Sequence, residues 1–222
     1  SAASDVYKRQ GNTALGHAAA YAVTSGDNNL LLGKDSGRTG SPGGNLTTQS
    51  NEIVLGDENI SEAHIQVDWT VASDQRDKTD FTALDIGLDF VNALKPYTYK
   101  WDKRIKYVDK TSKKGLVKSS IENGVSTEDK WEDSTNLDDV TTDGTHKEDW
   151  LDIGFKAQEV ETLEKAAGYK IETKTNLTTS LTKDGKQYGI QYNKFIPILV
   201  KAVQELSAKN IALEARVKTL EG

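Results

Sequence analysis

The strongest constraint on this chain lies at its C-terminal end. From Ile196, side chains recur at alternating spacings of three and four, through Leu199, Val203, Leu206, Asn210, Leu213 and Val217 to Leu220. That spacing holds one stripe of a helix against a partner helix, with Ile196, Val203, Asn210 and Val217 at a positions and the leucines at d. Lys209 with Glu214, and Arg216 with Glu221, fall at successive g and e positions, where opposite charges meet across parallel chains. Asn210 argues against a helix packed only into its own domain. A buried asparagine is costly unless it meets another polar group, most simply its own symmetry mate. The sequence therefore predicts a coiled-coil helix over 195–221 and an oligomer. By themselves, β-branched a positions, leucine d positions and one buried Asn favour two strands.

The N-terminal part reads differently. "NTALG" (12–16), "NLLLG" (29–33) and "NEIVLG" (51–56) each run from Asn through apolar residues to Leu-Gly, with turn-rich stretches such as "TSGDNN" between them. Units this short bury their faces only against neighbouring repeats or neighbouring chains. Two readings stand: a small irregular β domain, and an intertwined β-structure shared between subunits, which we favour. The first ten residues, "SAASDVYKRQ", do not fit this pattern and read as a non-native leader, so the natural start is expected upstream.

From Phe81 the period lengthens. Phe81, Leu84, Leu88, Val91 and Leu94 fall on one helical face, widened by Ile86 and Phe90, and Pro96 closes the helix. "YTYKW" (97–101) alternates like a strand. Residues 103–150 are polar, with Trp131 among few apolar anchors, and read as an exposed hairpin or long loop, partly mobile. "DIGFKAQEVETLEKAAG" (152–168) reads as a strand leading into a helix that stops at Gly168. A hairpin follows, with strand-like residues 169–181, a "KDGK" turn and "YGIQY" (188–192).

Composition narrows the function. A net charge of −6 gives no basic surface for nucleic acid, and no apolar run reaches the length of a membrane span. With no cysteine there is neither a disulfide framework nor a thiolate metal site. His17, His64 and His146 lie far apart in sequence without metal-ligand spacing, so no metal and no cofactor are expected.

The chemistry-bearing stretch is "VASDQRDKTDF" (71–81), which places Ser73, Asp74, Arg76 and Lys78 within six residues. On local sequence alone it is either a polar turn of solvated pairs or a Ser–Lys pair. A serine hydroxyl is a weak nucleophile until a base takes its proton, and a free lysine, with a pKa of about 10.4, is protonated at neutral pH. Burial, or a second cation such as Arg76, would bring it into the useful range.

The order of motifs resembles one family. "SDQRDKTDF" (73–81), "GLDFVNALKPYTYKWD" (87–102), "IGFKAQEV" (153–160) and "YGIQYNKFIPILVKAVQEL" (188–206) are similar to the C-terminal intramolecular chaperone domain of phage tail spikes and tail fibres, the self-cleaving endosialidase-type peptidases. The resemblance implies an α+β, trimeric protein. A β-repeat fibre shaft or shoulder over 11–72 would precede a chaperone domain over 73–222 that ends in the coiled-coil helix. The trimer conflicts with the two-strand reading of the seam, and the interleaved β region would be the larger interface that decides it. The implied partners are two further copies and the upstream fibre of the same chain, with no nucleic acid and no membrane. The fibre part would reside in the virion tail, and the chaperone domain would be released in the host cytoplasm.

The resemblance also implies roles for residues: Ser73 as nucleophile, Lys78 as base, and a cut between Ser73 and Asp74. Attack of Ser73 Oγ on the Ala72 carbonyl, which would cut between Ala72 and Ser73, passes through a five-membered ring. Attack on its own carbonyl needs a strained four-membered ring, so a cut after Ser73 requires help from Asp74 or from another chain. Arg76, Gln158 and Glu159 are possible supporting residues. Two other functions compete: a permanent, uncut trimeric fibre tip, and receptor or glycan binding through Trp131 and Trp150.

Overall fold

The three Leu-Gly repeats stack on one another. In the computed structural model, which describes residues 11–108, 121–122, 125–126 and 136–222, they form strands β1 (Thr13–Leu15), β2 (Leu30–Leu32) and β3 (Ile53–Leu55). The strands pair in parallel, with Thr13 beside Leu30 beside Ile53. Asparagine recurs because its side chain joins one rung to the next. Asn12 Oδ1 accepts from the Asn29 amide at 2.9 Å, and Asn29 Oδ1 accepts from the Glu52 amide at 2.9 Å. Glycine recurs because the rungs turn away there: Gly16 and Gly33 have φ of 137° and 105°, and a Cβ on Gly16 would lie 2.5 Å from the Gly33 carbonyl. Leu31 and Val54 point inward with Val23 and Leu46 to form a small core. Leu15, Ile53 and Leu55 stay exposed. Within one chain the second and third repeats thus bury one side chain each, Leu31 and Val54, and the first strand is exposed throughout.

The chain divides into two compact units. The first joins the repeats to residues 99–152 and 181–187. The described ends of the insert are fastened here, contrary to the expectation of a loose loop. Ile105, in the 3-10 turn Arg104–Tyr107, and Leu137, in the turn Leu137–Asp139, are both buried. The Arg104 guanidinium donates to the Leu137 carbonyl at 2.8 Å, and Lys103 Nζ donates to the Glu58 carbonyl at 3.0 Å. Between these turns, β5 (Ile121–Glu122) and β6 (Val125–Ser126) pair antiparallel, whereas Trp131 lies outside the described residues.

The second unit comprises residues 63–98, 153–180 and 188–222. Its core is Ile86, Phe90, Val160, Phe195 and Ile198, ringed by Leu84, Val91, Leu94, Phe155 and Leu163. Side chains of this size contribute roughly 1.5–3 kcal/mol each when fully buried. The helix expected from Phe81 is shorter in the structure: α1 spans only Leu88–Ala93. Asp80 takes a left-handed φ of 55°, Gly87 lies outside helical geometry, and Phe81 is exposed. The apolar spacing had picked out core anchors, which an irregular chain supplies as well as a helix does.

β4 (Tyr97–Tyr99) pairs with β7 (Asp152–Gly154), and β8 (Thr179–Leu181) with β9 (Tyr188–Ile190). Residues 171–174 form turns rather than the expected strand. The segment after them is tied instead to α2 (Ala157–Ala166): buried Glu164 accepts from the Thr178 amide and hydroxyl at 2.5 and 2.6 Å and from the Thr179 hydroxyl at 2.5 Å. Those three donors compensate a carboxylate taken out of water.

Helix α3 runs from Phe195 to Glu221, with Pro197 in its first turn, where a missing amide costs nothing. It presents two faces. Phe195, Ile198 and Ala202 are buried in the unit's own core. Ile196, Leu199, Val203, Leu206, Leu213, Val217 and Leu220, the seam read from the sequence, are all exposed in the single chain. Near its middle, Glu205 Oε2 accepts from the Leu88 amide at 2.8 Å and so caps α1, and a Cβ on Gly87 would lie 2.5 Å from that carboxylate.

Candidate site at Ser73 and Lys78

Residues 73–78 form one tight turn. Asp74 caps the 3-10 turn Gln75–Asp77, its carboxylate accepting from the Arg76 amide at 2.9 Å. The Arg76 guanidinium then closes on the same carboxylate, with Nε at 3.1 and 3.2 Å and Nη2 at 2.6 Å. These charge-assisted bonds hold the Asp74 carboxyl below the usual carboxylate range and raise the already high pKa of Arg76. Asp74 is therefore engaged by Arg76.

The turn brings Lys78 back over Ser73. Lys78 is extended, its amide donating to the Gln75 carbonyl at 3.2 Å, and its side chain folds toward the start of the turn. Its Nζ lies 2.6 Å from Ser73 Oγ and 3.3 Å from the Ser73 carbonyl oxygen. A hydroxyl and an amine at this distance can exchange a proton directly. The second contact places the same nitrogen beside the carbonyl of the Ser73–Asp74 peptide, where positive charge would favour a developing oxyanion. In one copy of the chain every residue from 61 to 83 is exposed, so the pair stands in water.

The other residues read from the sequence are placed elsewhere. Glu159 accepts from the Tyr97 hydroxyl at 3.0 Å and pairs with Lys156 at 3.4 Å, which lowers its pKa, the tyrosine hydrogen bond first. The Gln158 carbonyl accepts from the Thr162 hydroxyl. Neither residue contacts Ser73 or Lys78 among the described residues. Glu159 lines a groove with Leu94, Phe155, Lys156 and Leu163, which does not contain the Ser–Lys pair. Trp150 is exposed on the surface. Among the described residues no cluster of His, Asp and Glu is arranged to hold a metal, and no helix is long and apolar enough to cross a membrane. Sequence reading did not find Glu205, whose partner Leu88 lies 117 residues away, a separation that leaves no local signal.

No curated protein and no solved structure matches the chain. One family model does, and its match begins at Ser73 itself. Residues 73–126 match the model described as chaperone of endosialidase, of the S74 peptidases, the family that the motifs resemble.

Proposed function

We propose that this chain is the intramolecular chaperone of a trimeric phage tail fibre or spike, and that it releases itself by one autoproteolytic cut at Ser73. The observation that carries this reading is the 2.6 Å approach of Lys78 Nζ to Ser73 Oγ at the start of the family match. Lys78, as the free amine, takes the Oγ proton. The oxygen attacks the Ser73 carbonyl carbon of a neighbouring copy, which avoids the four-membered ring of self-attack, to give an ester; the departing Asp74 amine receives the proton, and water hydrolyses the ester. We take the cut to fall between Ser73 and Asp74, a reading supported by the reach of Lys78 Nζ to the Ser73 carbonyl oxygen. The exposed seam of α3 holds three copies in register while the upstream fibre folds.

Expression of the whole chain tests the reading. Wild type should run on a denaturing gel as two fragments, and mass spectrometry should place the new N-terminus at Asp74. Ser73→Ala should run as one band near 24.3 kDa while assembling normally. A Ser73→Ala chain processed at the wild-type rate sinks the mechanism. A wild-type chain that stays whole in the assembled state identifies a permanent fibre tip instead.

A further inference from the structure

Upstream of Ser73 the sequence alternates. Ile65, Val67, Trp69 and Val71 occupy every second position, with Gln66, Asp68, Thr70 and Ala72 between them. In a strand the two sets face opposite ways. Ser73 is the next member of the apolar set. One copy of the chain leaves that set uncovered: Ile65 is 51% exposed, and Val67, Trp69 and Val71 are each 73% exposed. Among the described residues no strand forms between Leu55 and Tyr97, and the backbone from Ile65 to Ala72 makes no hydrogen bond to other backbone. An unpaired backbone beside a continuous apolar row is a template for pairing with another chain.

We infer that Ile65–Ser73 packs against the same segment of second copies of this chain about their symmetry axis, with the apolar row inward and the Thr70 face outward, and that this contact encloses the Ser73–Lys78 pair. Charge selects a second copy as the occupant. In-register packing about a symmetry axis sets each residue opposite itself, so any charge in the row would meet its like. Ile65, Val67, Trp69 and Val71 carry none, while the opposite set contains Asp68. Position points the same way. After a cut at Ser73 the row remains on the upstream product, so its cover must remain there too, and the sister segments do.

The enclosure of the pair rests on the proposed dyad; the packing of the apolar row does not. Ser73 follows Val71 into the covered face, and Lys78 Nζ, 2.6 Å from its hydroxyl, follows Ser73. Withdrawing water from an ammonium favours its neutral form, the form a general base requires. Cutting then waits for assembly because the pair is in water until neighbours arrive.

The absence of cysteine makes a direct test possible. Val71→Cys and Thr70→Cys are each placed in full-length Ser73→Ala chain, oxidised mildly and run on a non-reducing denaturing gel. A disulfide needs Cα atoms within about 7 Å and side chains that face each other. Val71→Cys should run mainly as covalent dimer, and Thr70→Cys should stay single. No cross-link at 71, or equal cross-linking at both positions, overturns the proposal. In otherwise wild-type chain, Val67→Asp should lower the cut fraction and Gln66→Asp should leave it unchanged; equal effects also overturn it. Processing of the Ser73→Ala chain would count against the dyad alone, because cross-linking at 71 is read independently of cutting.

Discussion

Replacing Leu206 and Leu213 together with alanine separates the outer face of α3 from its inner one. In the single chain these leucines are 55% and 56% exposed, and both lie on the seam away from Phe195, Ile198 and Ala202. Assembly buries the exposed half. At roughly 1.5–3 kcal/mol for a fully buried leucine, that half is worth about 1 kcal/mol per side chain. Six such side chains in a trimer give about 6 kcal/mol, or about four decades in the assembly constant. Ile211 supplies the control, since it is 64% exposed but lies off the seam. Sedimentation equilibrium across a dilution series, with the cut fraction measured on the same samples, reads both effects. The double variant should dissociate at concentrations where wild type and Ile211→Ala remain trimeric, and its cutting should fall in parallel. Raising its concentration should restore both, because assembly is a mass-action step. Two results would refute the reasoning: Ile211→Ala weakening assembly as much as the double variant, or efficient cutting in samples shown to be monomeric.

Three further outcomes follow from the same geometry. Lys78→Ala should slow cutting by about 100-fold or more, the usual loss for a general base, and Lys78→Arg should not restore it, because arginine keeps its proton in a protein; a time course on denaturing gels decides, and an arginine variant near the wild-type rate excludes Lys78 as base. Asn210→Val should raise the melting temperature and broaden the oligomer distribution, since a buried polar a residue trades stability for register; a single species of unchanged stability would remove Asn210 from the seam. Glu205 has its pKa lowered, first by the Leu88 amide it caps and then by Lys201. Its charge therefore stabilises the fold above the ordinary glutamate range, and that contribution disappears as pH falls through the lowered value. The gap in melting temperature between wild type and Glu205→Gln should be present at pH ~7 and close below about pH 4, and a gap that stays constant across this range would assign it to packing.

Sequence alone determined the features that repeat or that act over a few residues. The stripe from Ile196 to Leu220 marked the extent of α3 closely, since an apolar face that recurs every three and four residues shows in local spacing. Spacing also marked the Leu-Gly rungs and the stop at Gly168, which has a φ of 94°; Ser73 and Lys78, left open by local spacing, were singled out by the family resemblance and need only a five-residue turn to meet. Tertiary structure decided what depends on distant partners. Helix α1 starts only at Leu88 because Glu205, 117 residues away, caps that amide, and the strand expected over 169–181 is confined to Thr179–Leu181 because Tyr169 and Thr178 bond to Glu164 instead. That the repeats stack within one chain, and that Ile105 and Leu137 anchor a segment polar enough to read as loose, likewise rest on contacts without local periodicity. Local spacing records which face of an element is apolar; only the folded chain records which faces find cover within it and which, like the seam and the row before Ser73, do not.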